Sequence, residues 1–323
     1  MRVAQVIDFG GPDVLVPAEV PDPEAGPGQV VVDVAAVDTI FVETQIRSGW
    51  GRDYFPVRPP YVPGGGIAGT VRSVGPGVDE SWRGRRVVAA IGFTGGYAER
   101  AVAAAESLAP VPDGLPFTDA AALVHDGVTA TVLLDATEPE PGERVLITGA
   151  SGGMGTLLVQ LAKARGAYVV GVARGERKTA LVRELGADAV VDAAAPGRPE
   201  RAREALGGAG ADVVLDGVGG DLGLAAFALT ADGGRFSAHG APTGGFTAVD
   251  PREAEHRGVR LLGIADLQLS PPVHAELATR VLAAAASGTL RPVIGAAFPL
   301  DRASEAHAAI ESRRLLGKVV LTV

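Results

Sequence analysis

Short apolar runs broken by glycine and proline dominate residues 1 to about 120. Segments 3–8, 29–37, 69–74, 86–91 and 96–102 are β-branched or alternate apolar with polar positions, the signature of strands. Clusters such as Pro21-Asp22-Pro23, Pro59-Pro60 and Gly64-Gly65-Gly66 bound them as turns. From about 120 to 264 the rhythm changes. Apolar runs at 144–148, 168–172, 189–192, 212–216, 234–238 and 259–264 alternate with stretches of helical period. The helices stop at glycines such as Gly166 and Gly186, which take the left-handed terminal conformation without strain. This alternation predicts an α/β fold with a parallel, doubly wound sheet. Residues 265–323 add an alanine-rich helix over 272–287, another near 304–312, and a closing strand at 318–323. The expected divisions are 1–120, 121–264 and 265–323, and no internal repeat is present.

The segment 144–155, RVLITGASGGMG, carries the first chemical signal. Val145, Leu146 and Ile147 read as a buried strand. Gly149, Gly152, Gly153 and Gly155 read as a turn, and a helix follows with Leu157, Leu158, Leu161 and Ala162 inward. Glycines let a phosphate approach main-chain N–H groups at the positive end of a helix. The motif is imperfect, with Ala150 in place of a glycine, and its weight comes from the strand before and the helix after. The next strand ends at Ala173-Arg174, about eighteen residues past Gly155, where an acid would hold the ribose hydroxyl of NAD and a cation would favour NADP. No acid stands at that strand end; Arg174, Arg177 and Lys178 cluster there, in a chain with three lysines. NADP(H) is the expected cofactor, with a solvated helix start as the plainer reading of the same charges.

Composition narrows the classes further. A net charge of −9 argues against a nucleic-acid surface, and no apolar run is long enough to span a bilayer. The start, MRVAQVIDFGG, lacks the basic and apolar regions of a signal peptide, so a cytoplasmic location is expected. The chain has no cysteine, which removes disulfides, thiolate metal ligands and cysteine nucleophiles. The Tyr-x-x-x-Lys pair of short-chain dehydrogenases is absent: Arg58, Gly65, Ala101 and Val172 stand four residues beyond the four tyrosines.

The order of these parts resembles the medium-chain dehydrogenase/reductase superfamily, and most of all its zinc-independent quinone oxidoreductases, the zeta-crystallin-like branch. The matching residues are Gly10-Gly11-Pro12-Asp13-Val14-Leu15, Glu43-Thr44-Gln45-Ile46-Arg47-Ser48-Gly49, Pro63-Gly64 with Gly69, Gly127-Val128-Thr129-Ala130, the 149–155 turn, DVVLDGVGG at 212–220, Glu311-Ser312-Arg313, and Gly317-Lys318. The resemblance implies a GroES-like β-rich catalytic domain built from both ends of the chain, a Rossmann domain, and NADP(H) held in the cleft between them. It also implies a homodimer formed by pairing of the 259–264 strand.

Departures matter as well. The His-Glu pair of zinc-containing relatives is missing from 63–69, and the five histidines lack metal-ligand spacing, so no metal is expected. Ile40 stands at the position of a common active-site asparagine, Glu43 at its acidic neighbour, and Trp50-Gly51 displaces a usual tyrosine. Ala193 stands where a tyrosine often packs near the adenosine phosphate.

Transfer of a hydride to a quinone or enone leaves negative charge on oxygen, which a positioned donor would stabilise. Tyr54, in a Gly/Pro-bounded loop, is the preferred donor, against a packed loop aromatic. His125 is a cleft-facing polar group or a helix cap, and Glu43 a positioning residue or a surface carboxylate. Ser151, Gly152, Gly153, Met154 and Gly155 are expected to wrap the pyrophosphate, with Arg174 and Lys178 at the adenosine end. Thr129 is expected against the cofactor. So are the strand-end turns Asp216, Gly217, Val218, Gly219 and His239, Gly240, Ala241. Arg313 could reach the ligand or make a surface ion pair. The expected activity is NADPH-dependent reduction of a quinone or α,β-unsaturated carbonyl. The competing reading is an NADPH-binding protein of the same fold without turnover.

Overall fold

The computed structural model describes residues 1–323 and divides them into two compact units, 1–128 with 269–323, and 129–268. In chain order the first unit contains β1 (Arg2–Val6), β2 (Leu15–Glu19), β3 (Gln29–Thr39), α1 (Phe41–Ser48), β4 (Gly66–Val74), β5 (Arg86–Ala90), β6 (Arg100–Ala104), β7 (Leu108–Pro110) and α2 (Phe117–Val124). Helix α3 (Asp126–Thr137) leads into the second unit. That unit contains β8 (Arg144–Thr148), α4 (Gly153–Ala164), β9 (Tyr168–Ala173), α5 (Glu176–Glu184), β10 (Ala189–Asp192), α6 (Arg198–Ala205), β11 (Ala211–Asp216), α7 (Gly220–Phe227), β12 (Thr230–Ala238), α8 (Pro251–His256) and β13 (Arg260–Gly263). The chain returns to the first unit through α9 (Pro271–Ala286), β14 (Ile294–Pro299), α10 (Ala303–Glu311) and β15 (Lys318–Thr322).

The first unit is built on a sheet ordered β14-β15-β3-β4-β5-β7, with β6 also paired to β3. Strand β3 runs antiparallel to β4, β6 and β15, and bulges at Val31/Val32 and Val34/Ala36 let it bend around the core. That core joins Val30, Val32, Val37, Ile67, Val71 and Tyr97 to Val319 and Leu321 from the far end of the chain. Burying such a set is what holds the two ends together. The run expected at 96–102 forms its strand at Arg100–Ala104 instead. Residues Gly96-Tyr97-Ala98 turn back to bridge Val3 and Pro63, which brings Tyr97 into the core.

The second unit is a six-stranded sheet, parallel throughout, in the order β10-β9-β8-β11-β12-β13. This is the Rossmann order, reversing between β8 and β11. Strands β8 and β11 are covered on both faces, which explains why their sequences are nearly unbroken apolar runs. Helices α4 and α5 end before Gly166 (φ +79°) and Gly186 (φ +104°), the left-handed positions that glycine accepts.

Candidate functional site

The strand ends of the second unit converge around the switch in strand order. Gly149 takes φ +65° after β8, and a Cβ on Gly155 would lie 2.2 Å from the Gly149 carbonyl, so glycine is required for α4 to pack against the turn. Gly152 is exposed at the N-cap of α4, Gly153 and Met154 are half-buried in its first turn, and Ser151 and Gly155 are buried. The first-turn N–H groups have no partner inside the helix, which makes this a cradle for an anion. Asp216 ends β11 but does not face outward. Its carboxylate is fully buried and accepts from Thr148 Oγ1 (2.6 Å), Val218 N (3.1 Å), Gly219 N (3.2 Å) and Thr247 Oγ1. The direct-contact expectation for Asp216 is therefore corrected: every lone pair is engaged in shaping the Gly217-Val218-Gly219 turn. That turn touches its neighbours closely. Val218 Cγ2 would be 3.2 Å from a Cβ on Gly149, and the Gly217 carbonyl 2.2 Å from one on Gly240. His239 is buried beside Ser237 Oγ (3.3 Å), and burial lowers its imidazole to about 4, so it stays neutral next to half-buried Ala241.

Beyond β9, Arg174 and Arg177 are exposed and Lys178 is half-buried. A carboxylate is present after all, delivered by β10. Asp192 Oδ1 accepts from Gly175 N and Ala194 N (2.9 Å each), and these bonds lower its pKa, with Arg174 adding to the effect. Sequence distance from β9 hides it. Thr129 is half-buried on α3.

In the first unit two buried polar clusters flank the start of β4. The first centres on Glu43, 2 % exposed on α1. Ile40 precedes the helix without a side chain able to cap it, and Glu43 Oε2 reaches back to the Ile40 N–H at 3.1 Å. Glu43 Oε1 accepts from Gly65 N (3.1 Å), and Oε2 also from the Tyr97 hydroxyl (2.8 Å). With that proton committed, His307 Nε2, 2.9 Å from the same phenol oxygen, is the donor, and His307 Nδ1 faces Arg47 Nη1 at 3.5 Å. Arg47, 1 % exposed, pairs with Glu311 and gives Nε–H to the Gly10 carbonyl at 3.2 Å. Burial, then the nearby charge of Asp38, raises the Glu43 carboxyl to about 7, and burial, then Arg47, lowers His307 to about 3. Glu43 is thus no surface carboxylate. It fastens α1 to β4.

The second cluster joins Asp38, His125, Asp126 and Lys318. His125 occupies the C-cap of α2 and its Nδ1 lies 2.7 Å from Asp38 Oδ2. Lys318 Nζ stands 2.5 Å from Asp38 Oδ1 and 3.0 Å from Asp126 Oδ2. Strand pairing explains the meeting: Asp38 of β3 is opposite Val320 of β15, so Lys318, two residues before Val320, is its diagonal neighbour on the same face. Burial would raise Asp38, but Lys318 and His125 overcome it and leave its pKa lowered. Burial would likewise lower His125, and the hydrogen bond and charge of Asp38 leave it raised.

Tyr54 is corrected. It is 82 % exposed, so it is neither packed nor held toward any group. Its loop instead presents Trp50 against Phe55 (6.3 Å between ring centroids) and Phe55 edge-on to Phe93 (4.9 Å). Arg313, at φ +55°, sets its guanidinium 5.8 Å over the Phe41 ring. Asp38, Asp126, Lys318, Tyr97 and His307 escaped the sequence reading. The available signal was charge inside apolar runs, as at Asp38 in the strand QVVVDVAAVDT.

Comparison with known proteins agrees with both units. Residues 26–113 match the alcohol dehydrogenase GroES-like domain, and 185–321 the family described as zinc-binding dehydrogenase. The chain is 33 % identical to a quinone oxidoreductase of Rattus norvegicus, over 99 % of this chain and 97 % of that one. It is 33 % identical to a 2-haloacrylate reductase of a Burkholderia species, over 97 % and 96 %. A solved Escherichia coli quinone oxidoreductase complexed with NADPH superposes with a TM-score of 0.92 at 29 % identity, all of both chains being covered. The chain belongs to the medium-chain dehydrogenase/reductase superfamily, in its quinone oxidoreductase branch. It is an oxidoreductase whose cofactor is NADP(H), acting on a small molecule. No helix is long and apolar enough to cross a membrane.

Proposed function

We propose that this enzyme reduces a quinone or an α,β-unsaturated carbonyl compound with NADPH and without zinc. The cradle at 149–155 is the observation that carries it, because Gly155 lets α4 pack against the Gly149 carbonyl and so sets the first-turn N–H groups of α4 where a diphosphate can meet them. Ser151, Gly152, Gly153, Met154 and Gly155 bind the pyrophosphate. Arg174 and Lys178 meet the adenosine phosphate, with Asp192 fixing the turn between them. Thr129, Gly217, Val218, Gly219, His239, Gly240 and Ala241 line the remainder, and Asp216 holds their turns in place. When bound, the nicotinamide supplies the hydride. His125, whose side chain keeps 22 % of its surface exposed, is the polar group offered for handling the proton. Zinc independence is supported by the lack of cysteine and by the absence of histidine and glutamate from 63–69. The enzyme is cytoplasmic and a homodimer through β13, a strand ending the sheet with Leu261 37 % exposed, and light scattering tests the assembly.

Steady-state oxidation of NADPH and NADH against a panel of quinones and enones tests the reading. Turnover with either class, and a lower KM for NADPH, is expected. Tight NADPH binding with a flat trace across the panel would sink it in favour of a holding protein.

A further inference from the structure

The Asp38 carboxylate has two partners, Lys318 and His125, and the two differ in exposure. Asp38, Asp126 and Lys318 are each at most 7 % exposed; Lys318 and His125 hold the Asp38 carboxyl below its ordinary range, whereas burial raises that of Asp126. A buried carboxylate is costly unless its oxygens are partnered, and Asp38 has Lys318 Nζ against Oδ1 and His125 Nδ1 against Oδ2. The titratable groups around the His125 ring pull in both directions. Asp38 on β3 touches it. Asp126 on α3 and Glu43 on α1 add negative charge, whereas Lys318 on β15 opposes it. His274 on α9, its ring 6.2 Å away, is lowered to about 4 by burial and then by His125, so it does not compete for the proton.

A purely structural ion pair would be sealed, and this one is not. The His125 side chain keeps 22 % of its surface exposed while the Asp38 carboxylate keeps none. Nδ1 is tied to Asp38. Two glycines clear the ring's flank. A Cβ on Gly66 would lie 2.8 Å from His125 Nδ1, and one on Gly65 would lie 3.4 Å from Cε1 and 1.9 Å from the Gly92 carbonyl. Phe93 follows Gly92 and meets Phe55 edge-on, so an apolar aromatic wall begins on the other side of Gly65.

We propose that His125 is the proton donor of this reductase and that Asp38 is its positioning partner, with Lys318 and Asp126 as counter-charges. The inference rests on the reductase reading above. Reduction adds a hydride, with its electron pair, from the nicotinamide to a substrate carbon and leaves the substrate oxygen anionic. The Nε2–H bond then breaks as an O–H bond forms, and the neutral imidazole regains a proton from water at its exposed edge. Asp38 stays ionised throughout, holding the Nδ1 proton and the ring's orientation. The aromatic wall suits a flat, conjugated substrate.

Two measurements on the full-length protein decide it. The first is an NMR titration of the imidazoles without cofactor. His125 is expected to titrate above the ordinary 6.5 and to fall by about one pH unit or more in Asp38→Asn. The second compares wild type with His125→Gln: NADPH affinity by fluorescence is expected to hold, KM to change little, and kcat to fall on the order of 100-fold. The alkaline limb of the wild-type kcat profile should vanish with it. An imidazole titrating at or below 6.5, no shift in Asp38→Asn, or a fully active His125→Gln enzyme would each overturn the dyad. Wild-type inactivity toward both substrate classes would overturn the reductase reading instead, and the titration would still decide the dyad.

Discussion

Two buried polar clusters stand on either side of the β4 start in one unit, made from the same chemistry, and they differ in a single respect. Around Glu43, every donor and acceptor finds a partner inside the protein: Ile40 N, Gly65 N and Tyr97 on the carboxylate, then His307, Arg47 and the Gly10 carbonyl. Around Asp38 the network ends on an imidazole whose far side is open. A closed network specifies where α1, β4 and α10 sit relative to one another. An open one can exchange a proton with whatever arrives. The same residue types therefore serve folding in one place and chemistry in the other, and burial of the terminal ring is what separates them.

The largest effect expected to test this contrast is on pH. The Glu43 carboxyl is held at about 7 in the folded protein against an ordinary 4.5, chiefly by burial and secondarily by Asp38. A raised carboxyl binds a proton in the native state that the unfolded chain has already lost, so its contribution to stability falls as pH rises from 4.5 through 7 and is flat above. At about 1.4 kcal/mol per unit, that loss is roughly 3 kcal/mol. Denaturant titrations of wild type and Glu43→Gln across this range should show the term in the former and its absence in the latter. Parallel curves would mean that water reaches the carboxyl and that the cluster is not closed.

A smaller effect is expected at Tyr97. Tyr97→Phe removes the hydroxyl that Glu43 accepts and that His307 Nε2–H donates to, in a position with no exposed surface. Leaving a buried donor unpaired costs about 1–3 kcal/mol. Unfolding free energy should drop by that amount while kcat stays within about twofold of wild type. Loss of turnover without loss of stability would reverse the assignment of roles.

How much of this was legible beforehand follows from the range of the contacts. Strands β8 and β10 occupy 144–148 and 189–192, the ranges expected from their apolar runs, because a strand buried on both faces needs only local hydrophobicity to be recognised. Helix α1 escaped because Ile40 offers no cap side chain and the segment FVETQIRS lacks an apolar stripe of ordinary width. Strand β14 escaped because IGAAFP pairs small residues with proline. The glycine cradle was readable because its whole mechanism lies within a dozen residues. The two polar clusters were not. Lys318 reaches Asp126 across 192 positions and His307 reaches Tyr97 across 210, and nothing in the local pattern encodes such a meeting. Tyr54 misled for the opposite reason: a turn-bounded aromatic was legible, but the direction of its side chain was not.

The smallest effect belongs at the mouth of the closed network, where Glu311 pairs with Arg47. The two partners are unequal, the arginine side chain 1 % exposed and the carboxylate 34 %. Water already screens the acid, which limits its Coulombic contribution to that of a favourable surface pair, while its oxygen still satisfies a buried guanidinium N–H. Glu311→Gln retains a carbonyl oxygen for that bond and removes only the charge, so a loss of about 1 kcal/mol is expected, shrinking further near 1 M salt. Denaturant midpoints at low and high salt measure both. A loss near 3 kcal/mol that ignores salt would show the guanidinium to be an uncompensated buried charge. The network would then be closed at its outer end as well, and its difference from the open imidazole would be larger than the exposures indicate.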